Sequence, residues 1–278
     1  MTKKHWVWSL QLLFTLSVCT FMVLPVVMSA LAGITVNYMA GLKSGLTLRW
    51  IIEVWQGYGH TIFLSIGIAL ACLAATLVLG VPVAYALARH PARWTRWIEE
   101  MLMLPVAVPG LATALALISV FGSLGDFRTS WLFILVGHIL FTLPFMVRAV
   151  LSVLSALDLK TLEDGAASLG ASFWQRFTHV ILPNCRDGIL AGSLMVLTLS
   201  IGEFNLTWLL HSPYTKTLPV GLADAYASLR LEVGSAYTLI FFLIIVPLLL
   251  AMQALARPRK RTFVADSDDT SPALVVKS

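Results

Sequence analysis

Six long apolar runs constrain this chain more than any other feature. They cover roughly Trp6–Leu31, Thr61–Ala88, Glu100–Phe121, Ser130–Val150, Gly188–Leu210 and Ala236–Ala256. A helix needs about 20 such residues to cross roughly 30 Å of hydrocarbon. Backbone polar groups find no water there and must pair within the protein. With 58% hydrophobic and only 12% charged residues, the chain lies far from soluble domains, which are about 45–50% apolar and about 25% charged. The expected class is an all-α membrane protein with six transmembrane helices.

The net charge of +5 is a topology signal rather than a nucleic-acid footprint. With the N-terminus inside, 14 of the 19 Lys and Arg residues fall on the inner side and 5 outside. Lys3, Lys4, Arg89, Arg93, Arg96 and the Arg257–Arg261 cluster lead the inner set. The positive-inside rule then predicts both termini to be cytoplasmic. Lys3 and Lys4 ahead of an apolar run resemble a signal peptide, but the run exceeds the roughly 7–15 residues of an h-region. An uncleaved first span is expected. Cys19, Cys72 and Cys185 have no metal or redox spacing.

Three segments follow from these boundaries: residues 1–60 as a first span with an external loop, 61–256 as the membrane core, and 257–278 as a basic, disordered tail. In the first loop, Leu46–Tyr58 reads as a short interfacial helix, with Arg49 and Glu53 paired at i,i+4. Pro105, Pro109 and Gly110 break span three, and Pro144 gives a second interruption in span four. Such breaks are tolerated in lipid only where protein or a water cavity satisfies the freed backbone. In the third external connection, Val220–Leu229 is expected to form a short helix.

Enzymatic chemistry finds no support. The chain has no G-x-x-x-x-G-K-[ST] phosphate cradle, no H-E-x-x-H and no G-x-S-x-G elbow. No catalytic residue, metal site or cofactor is expected, and the six histidines share no helical face. Uphill transport by such a chain must draw on an ion gradient or on a separate subunit.

The interval Glu163–Pro183, EDGAASLGASFWQRFTHVILP, bears on that choice. It is a polar insertion on the predicted inner side. At helical spacing Leu162, Ala166 and Leu169 lie on one face. Gly170 permits a backbone conformation or a close approach that a side chain obstructs. Phe173, Trp174 and Phe177 are aromatic anchors of the kind that dominate interfaces, and Leu182-Pro183 is expected to end the second helix. The segment suits either a groove of a soluble partner or packing on its own bundle.

Asp164-Gly165-Ala166, then Gly170, then Val180-x-Leu182-Pro183 resemble the EAA loop of permease subunits from binding-protein-dependent ABC importers. The resemblance extends across Thr61–Gln253, through Leu104-Pro105…Val108-Pro109-Gly110 and Gly137-His138…Leu143-Pro144-Phe145. Asp164 stands for the usual Glu and Gly165 for the first Ala. The resemblance implies a MetI-like permease with a cytoplasmic coupling helix, in which Asp164, Gly165, Ala166, Gly170, Leu182 and Pro183 couple to an ATPase. It also implies partners: an ABC ATPase dimer, a second homologous permease and a periplasmic substrate-binding protein, beside membrane lipid and without nucleic acid. The spermidine/putrescine-type permeases and aminoalkylphosphonate systems are the most similar, which implies a polyamine or an aminoalkylphosphonate as cargo.

In span five, Ser200, Glu203, Asn205 and Thr207 are candidates for the substrate path. A carboxylate at membrane depth is costly, so Glu203 should face a cavity or a partner. It either attracts a cationic amine or has a structural role such as capping backbone. The Gly-Glu-Phe sequence is also similar to permeases for molybdate and sulfate. A gradient-driven secondary transporter, or an ABC permease for an inorganic anion or iron, is the alternative.

Overall fold

The computed structural model describes residues 2–90 and 92–256, nearly all helical, with one isolated antiparallel bridge between Thr35 and Leu46. The expected tail, with its basic cluster Arg257–Arg261, lies outside the described residues. The helices are α1 (Thr2–Ala32), α2 (Arg49–Arg89), α3 (Arg93–Ala107), α4 (Gly110–Phe121), α5 (Gly125–Thr129), α6 (Trp131–Leu154) and α7 (Leu159–Ser168). They continue with α8 (Phe173–Asn184), α9 (Arg186–Gly202), α10 (Asn205–Leu210), α11 (Leu218–Ala227) and α12 (Leu231–Ala256). Four helices are each long and apolar enough to span, and six spans result if each of two bent pairs counts as one.

Helices α2, α6 and α9 form the centre. Their contacts close because glycine sits where a side chain would collide. At Gly188 a Cβ would lie 2.8 Å from the Ala149 carbonyl oxygen, and at Gly192 it would lie 2.7 Å from Met146 Sδ. This is the small-xxx-small device by which helices approach in lipid. The core at this end joins Cys72, Tyr85, Met146, Val150, Ile181 and Val196. A second cluster at the opposite end joins Val54 and Ile62 of α2 to Leu218, Val233 and Tyr237.

The proline expectations divide. Helices α3 and α4 meet at 99° around Val108-Pro109, as the sequence predicts. Val108 is extended, at φ −84° and ψ 134°, because the pyrrolidine ring disfavours a helical residue before it. The Pro109 carbonyl is recovered by the amides of Ala112 (2.9 Å) and Thr113 (3.1 Å). Pro105 stays within α3. Pro144 interrupts nothing, since α6 runs unbroken from Trp131 to Leu154 with Pro144 buried in it. Packing on α2 and α9 holds the helix across one missing backbone bond.

Three further expectations are corrected. The interfacial helix at Leu46–Tyr58 is no separate element: from Arg49 it is the first part of α2, anchored by Val54, which is fully buried. Arg49 and Glu53 do not pair. Arg49 stacks over the Trp50 ring at 5.0 Å, while Glu53 pairs with Arg230. Span five does not continue to Leu210; α9 stops at Gly202 and the chain turns at Glu203 before α10 begins. The short external helix is present as α11, starting two residues earlier than expected, at Leu218, with Pro219 in its first turn, a position where the missing amide costs nothing.

Candidate functional site

Two polar constellations stand out from the apolar bundle. The first surrounds α7. Asp158 caps that helix, accepting from the Thr161 hydroxyl (2.6 Å) and amide (3.2 Å). Those bonds hold its carboxyl below the usual carboxylate range. The helix ends at Ser168, and Gly170 follows in the left-handed region at φ +80°. Nothing lies within 4 Å of where its Cβ would be. Of the two roles open to Gly170, the structure therefore assigns the backbone conformation, which L side chains adopt at a cost of roughly 1–2 kcal/mol.

Helix α8 begins with a capping box between Ser172 and Gln175 and contains a π-helical stretch, Arg176–Ile181. Leu182-Pro183 forms the last turn of α8, which closes one residue later at Asn184, as expected for a proline that cannot carry the backbone bonding onward. The direction changes by 71° into α9, at Cys185.

The face predicted for Leu162, Ala166 and Leu169 is only partly formed. Leu162 and Ala166 are half-buried, whereas Leu169, beyond the last turn, is 89% exposed. Trp174 is also exposed, at 69%, and Phe173 at 45%. The rings of Phe173 and Phe177 stack at 6.4 Å, and Phe177 packs 5.4 Å from Tyr85 of α2. With Arg89 they line a hollow of about 290 Å³. Asp164, Gly165 and Gly170 are exposed.

The acidic residue that this fold buries is Glu163, one position before the motif's Asp164. It is 5% exposed, accepts a 2.5 Å hydrogen bond from the Tyr85 hydroxyl, and pairs with Arg89 Nη2 at 3.2 Å. The motif points to Asp164, whereas burial selects Glu163, the first residue of the polar interval. Its i+4 relation to Leu159, which is also buried, was the available signal.

The second constellation joins α6, α9 and α10. Glu203, half-buried, turns its carboxylate onto α10. It accepts from the amides of Leu206 (3.1 Å) and Thr207 (3.0 Å) and from the Thr207 hydroxyl (3.0 Å). Arg128 donates to the carbonyls of Leu209 (3.1 Å) and Leu210 (2.8 Å) at the other end. A carboxylate at the amino end and a guanidinium at the carboxyl end match the sign of the helix dipole.

His138, only 1% exposed, links this unit to the bundle. Its ring nitrogens lie 2.8 Å from Ser200 Oγ and 2.8 Å from Thr207 Oγ1. Gly137 beside it admits α10, since a Cβ there would lie 2.4 Å from Leu206 Cδ2. Of the four predicted path residues, Ser200, Glu203 and Thr207 are thus brought into one network, while Asn205 is exposed and outside it. His138 escaped sequence reading. The rule that marked Glu203, that a polar group at membrane depth needs a partner, applied equally to a histidine in mid-span.

Comparison with known proteins bears on what such a bundle does. Residues 79–261, which are 183 of the chain's 278, match the family of binding-protein-dependent transport system inner membrane components. The chain belongs to that family. It is a multi-pass permease of an ABC importer, and the gradient-driven alternative falls away.

Among curated relatives, the putative 2-aminoethylphosphonate transport system permease protein PhnV of Salmonella typhimurium is 27% identical over 240 residues, covering 85% of this chain and 90% of PhnV. The spermidine/putrescine transport system permease protein PotC of Escherichia coli is 25% identical over 259 residues, covering 91% and 96%. Among solved structures, a bacterial ABC transporter involved in import of the acidic polysaccharide alginate matches with a TM-score of 0.67. That match covers 92% of this chain and 96% of the other at 16% identity, a likeness of fold.

Proposed function

We propose that this permease pairs with a second homologous permease and takes ATP-driven movement from an ATPase dimer through α7 and α8. Solute arrives from a periplasmic binding protein, and both termini are cytoplasmic. The observation that carries this reading is the combination of motif and exposure. Asp164, Gly165 and Gly170 sit on the surface beside Leu169 and Trp174, two large apolar side chains with no cover in this chain. Exposed aromatic and aliphatic anchors beside a hollow are what a protein partner fills. The left-handed Gly170 turns the chain so that α8 presents Phe173 and Trp174 next to α7. Leu182 and Pro183 contribute by carrying α8 to the bend at Cys185.

The cargo that relatives favour is a polyamine or an aminoalkylphosphonate. Both carry an amine, and Glu203 with Asn205 offers a carboxylate and an exposed amide on the path. Ser200 and Thr207 are spent on His138, which supports a positioning share for them. In domain terms, residues 61–256 act as the permease core, which α2 extends back to Arg49, with the residues before it as an added span and loop.

The test is co-purification with the cognate ABC ATPase. Trp174→Ala should weaken association about tenfold or more, the range of an interface hot spot, while membrane insertion persists. Wild-type association by that variant would sink the docking reading. A ligand screen on the cognate binding protein, with spermidine and 2-aminoethylphosphonate as probes, tests the cargo.

A further inference from the structure

The longest helix among the described residues is tied at both ends to elements remote in sequence. Helix α2 is unbroken from Arg49 to Arg89. Its 41 residues span about 60 Å at 1.5 Å per residue, twice the roughly 30 Å of bilayer hydrocarbon. At one end Tyr85 and Arg89 hold Glu163 of α7. A buried carboxylate is costly unless it is paired and hydrogen-bonded, so its two donors restrict where Glu163, and with it α7, can sit. The Tyr85–Phe177 contact adds a tie to α8.

Along its length α2 is keyed into α6. A Cβ at Gly80 would lie 2.9 Å from Met146 Cγ, and Cys72 Sγ lies 3.1 Å from Thr142 Oγ1. These contacts precede Pro82, where one backbone bond is missing, and the ties at Tyr85 and Arg89 follow it, so the helix is held on both sides of the gap. At the far end Glu53 pairs with Arg230, which also donates to the Tyr58 hydroxyl at 3.2 Å. Arg230 lies between α11 and α12, in the layer opposite α7.

We infer that Tyr85, Arg89 and Glu163 form a rigid joint that makes α7 and α2 move as one body, so that α2 delivers displacement of α7 to the opposite face at Arg230. The inference rests on the reading of α7 and α8 as the ATPase-facing segment. The three are positioning residues, touching neither nucleotide nor solute. The buried Glu163 is the point through which force leaves α7, while the exposed Asp164 stays free for a partner.

Spin labels at Ala86→Cys on α2 and Lys160→Cys on α7, both exposed sites, in a Cys19→Ser background, test the joint in the complete complex. The distance between them should be narrow and equal with and without ATP. A shift above about half a helical turn, about 2.7 Å, would overturn the inference. Two mild variants, Tyr85→Phe and Glu163→Gln, should broaden that distance. They should also cut stimulation of ATP hydrolysis by the purified binding protein about tenfold, a usual size for coupling between sites, with the ATPase still bound. Wild-type stimulation in both would overturn it. If no ATPase co-purifies with the unaltered chain, the transport reading itself fails, before any label is attached.

Discussion

Glu163 and Glu203 are both carboxylates within or beside the apolar bundle, and the fold uses them in opposite ways. Glu163 reaches across 78 positions of sequence to Tyr85 and ties two helices together. Glu203 spends its oxygens within four residues of itself, on the first turn of α10. The long-range tie of that region passes instead through His138, to Ser200 and Thr207. A carboxylate that is paired across elements can transmit displacement. One that caps its own chain builds a rigid piece for something else to hold. The acid with the more conspicuous sequence position, Glu203, has the more local task.

The comparison breaks first at Glu203. Glu203→Ala strips partners from two amides, so a loss of about 2–6 kcal/mol is expected, at about 1–3 kcal/mol for each buried group left unpaired. Thermal unfolding in detergent should show it, and Glu203→Gln, which keeps an acceptor oxygen, should recover most of the loss. If Glu203→Gln folds normally but loses uptake of spermidine, the carboxylate is contacting a cation as well as capping.

Next in size is Gly137→Val. The added atoms would meet Leu206 and Leu210, and overpacking costs about 1–3 kcal/mol. The same scan should register it, and a neutral result would mean that α10 is loosely held and His138 is no anchor.

At Gly170 the expected effect is smaller and depends on backbone. Gly170→Ala should cost about 1–2 kcal/mol for an L residue in the left-handed region. Gly170→Asn should cost less, since Asn visits that region. Equal losses for the two, measured as stability of the isolated permease, would point to a steric role that the open surroundings do not show. Smallest is Glu53→Gln at the far end of α2. That pair is a third or more exposed, and surface ion pairs contribute about 0–1 kcal/mol. Its stability should barely move, while binding-protein stimulation should fall if α2 carries displacement to Arg230.

Much of this was legible before any coordinates. Apolar runs of bilayer length located the spans, because solvent quality at each residue is a property of local composition. The break at Pro109 was equally local, as a ring and a missing amide act on their own neighbours. Pro144 shows the limit: the same ring lies inside a helix that α2 and α9 support on both sides, and no local pattern reports that support. The motif located the exposed loop, yet it pointed to Asp164 where burial chose Glu163, since burial depends on where Tyr85 and Arg89 arrive.

Class, the apolar helices long enough to span and the exposure of the polar loop were therefore legible in hydropathy and motif spacing alone. Which acid is buried, that α2 is one rod rather than a loop helix and a span, and that His138 joins three helices were decided only in three dimensions. Local sequence sets what a residue can do with its own backbone and its solvent. Pairing across 60 to 80 positions depends on how packed helices bring donors and acceptors within 3 Å, and that geometry exists only once the bundle has formed.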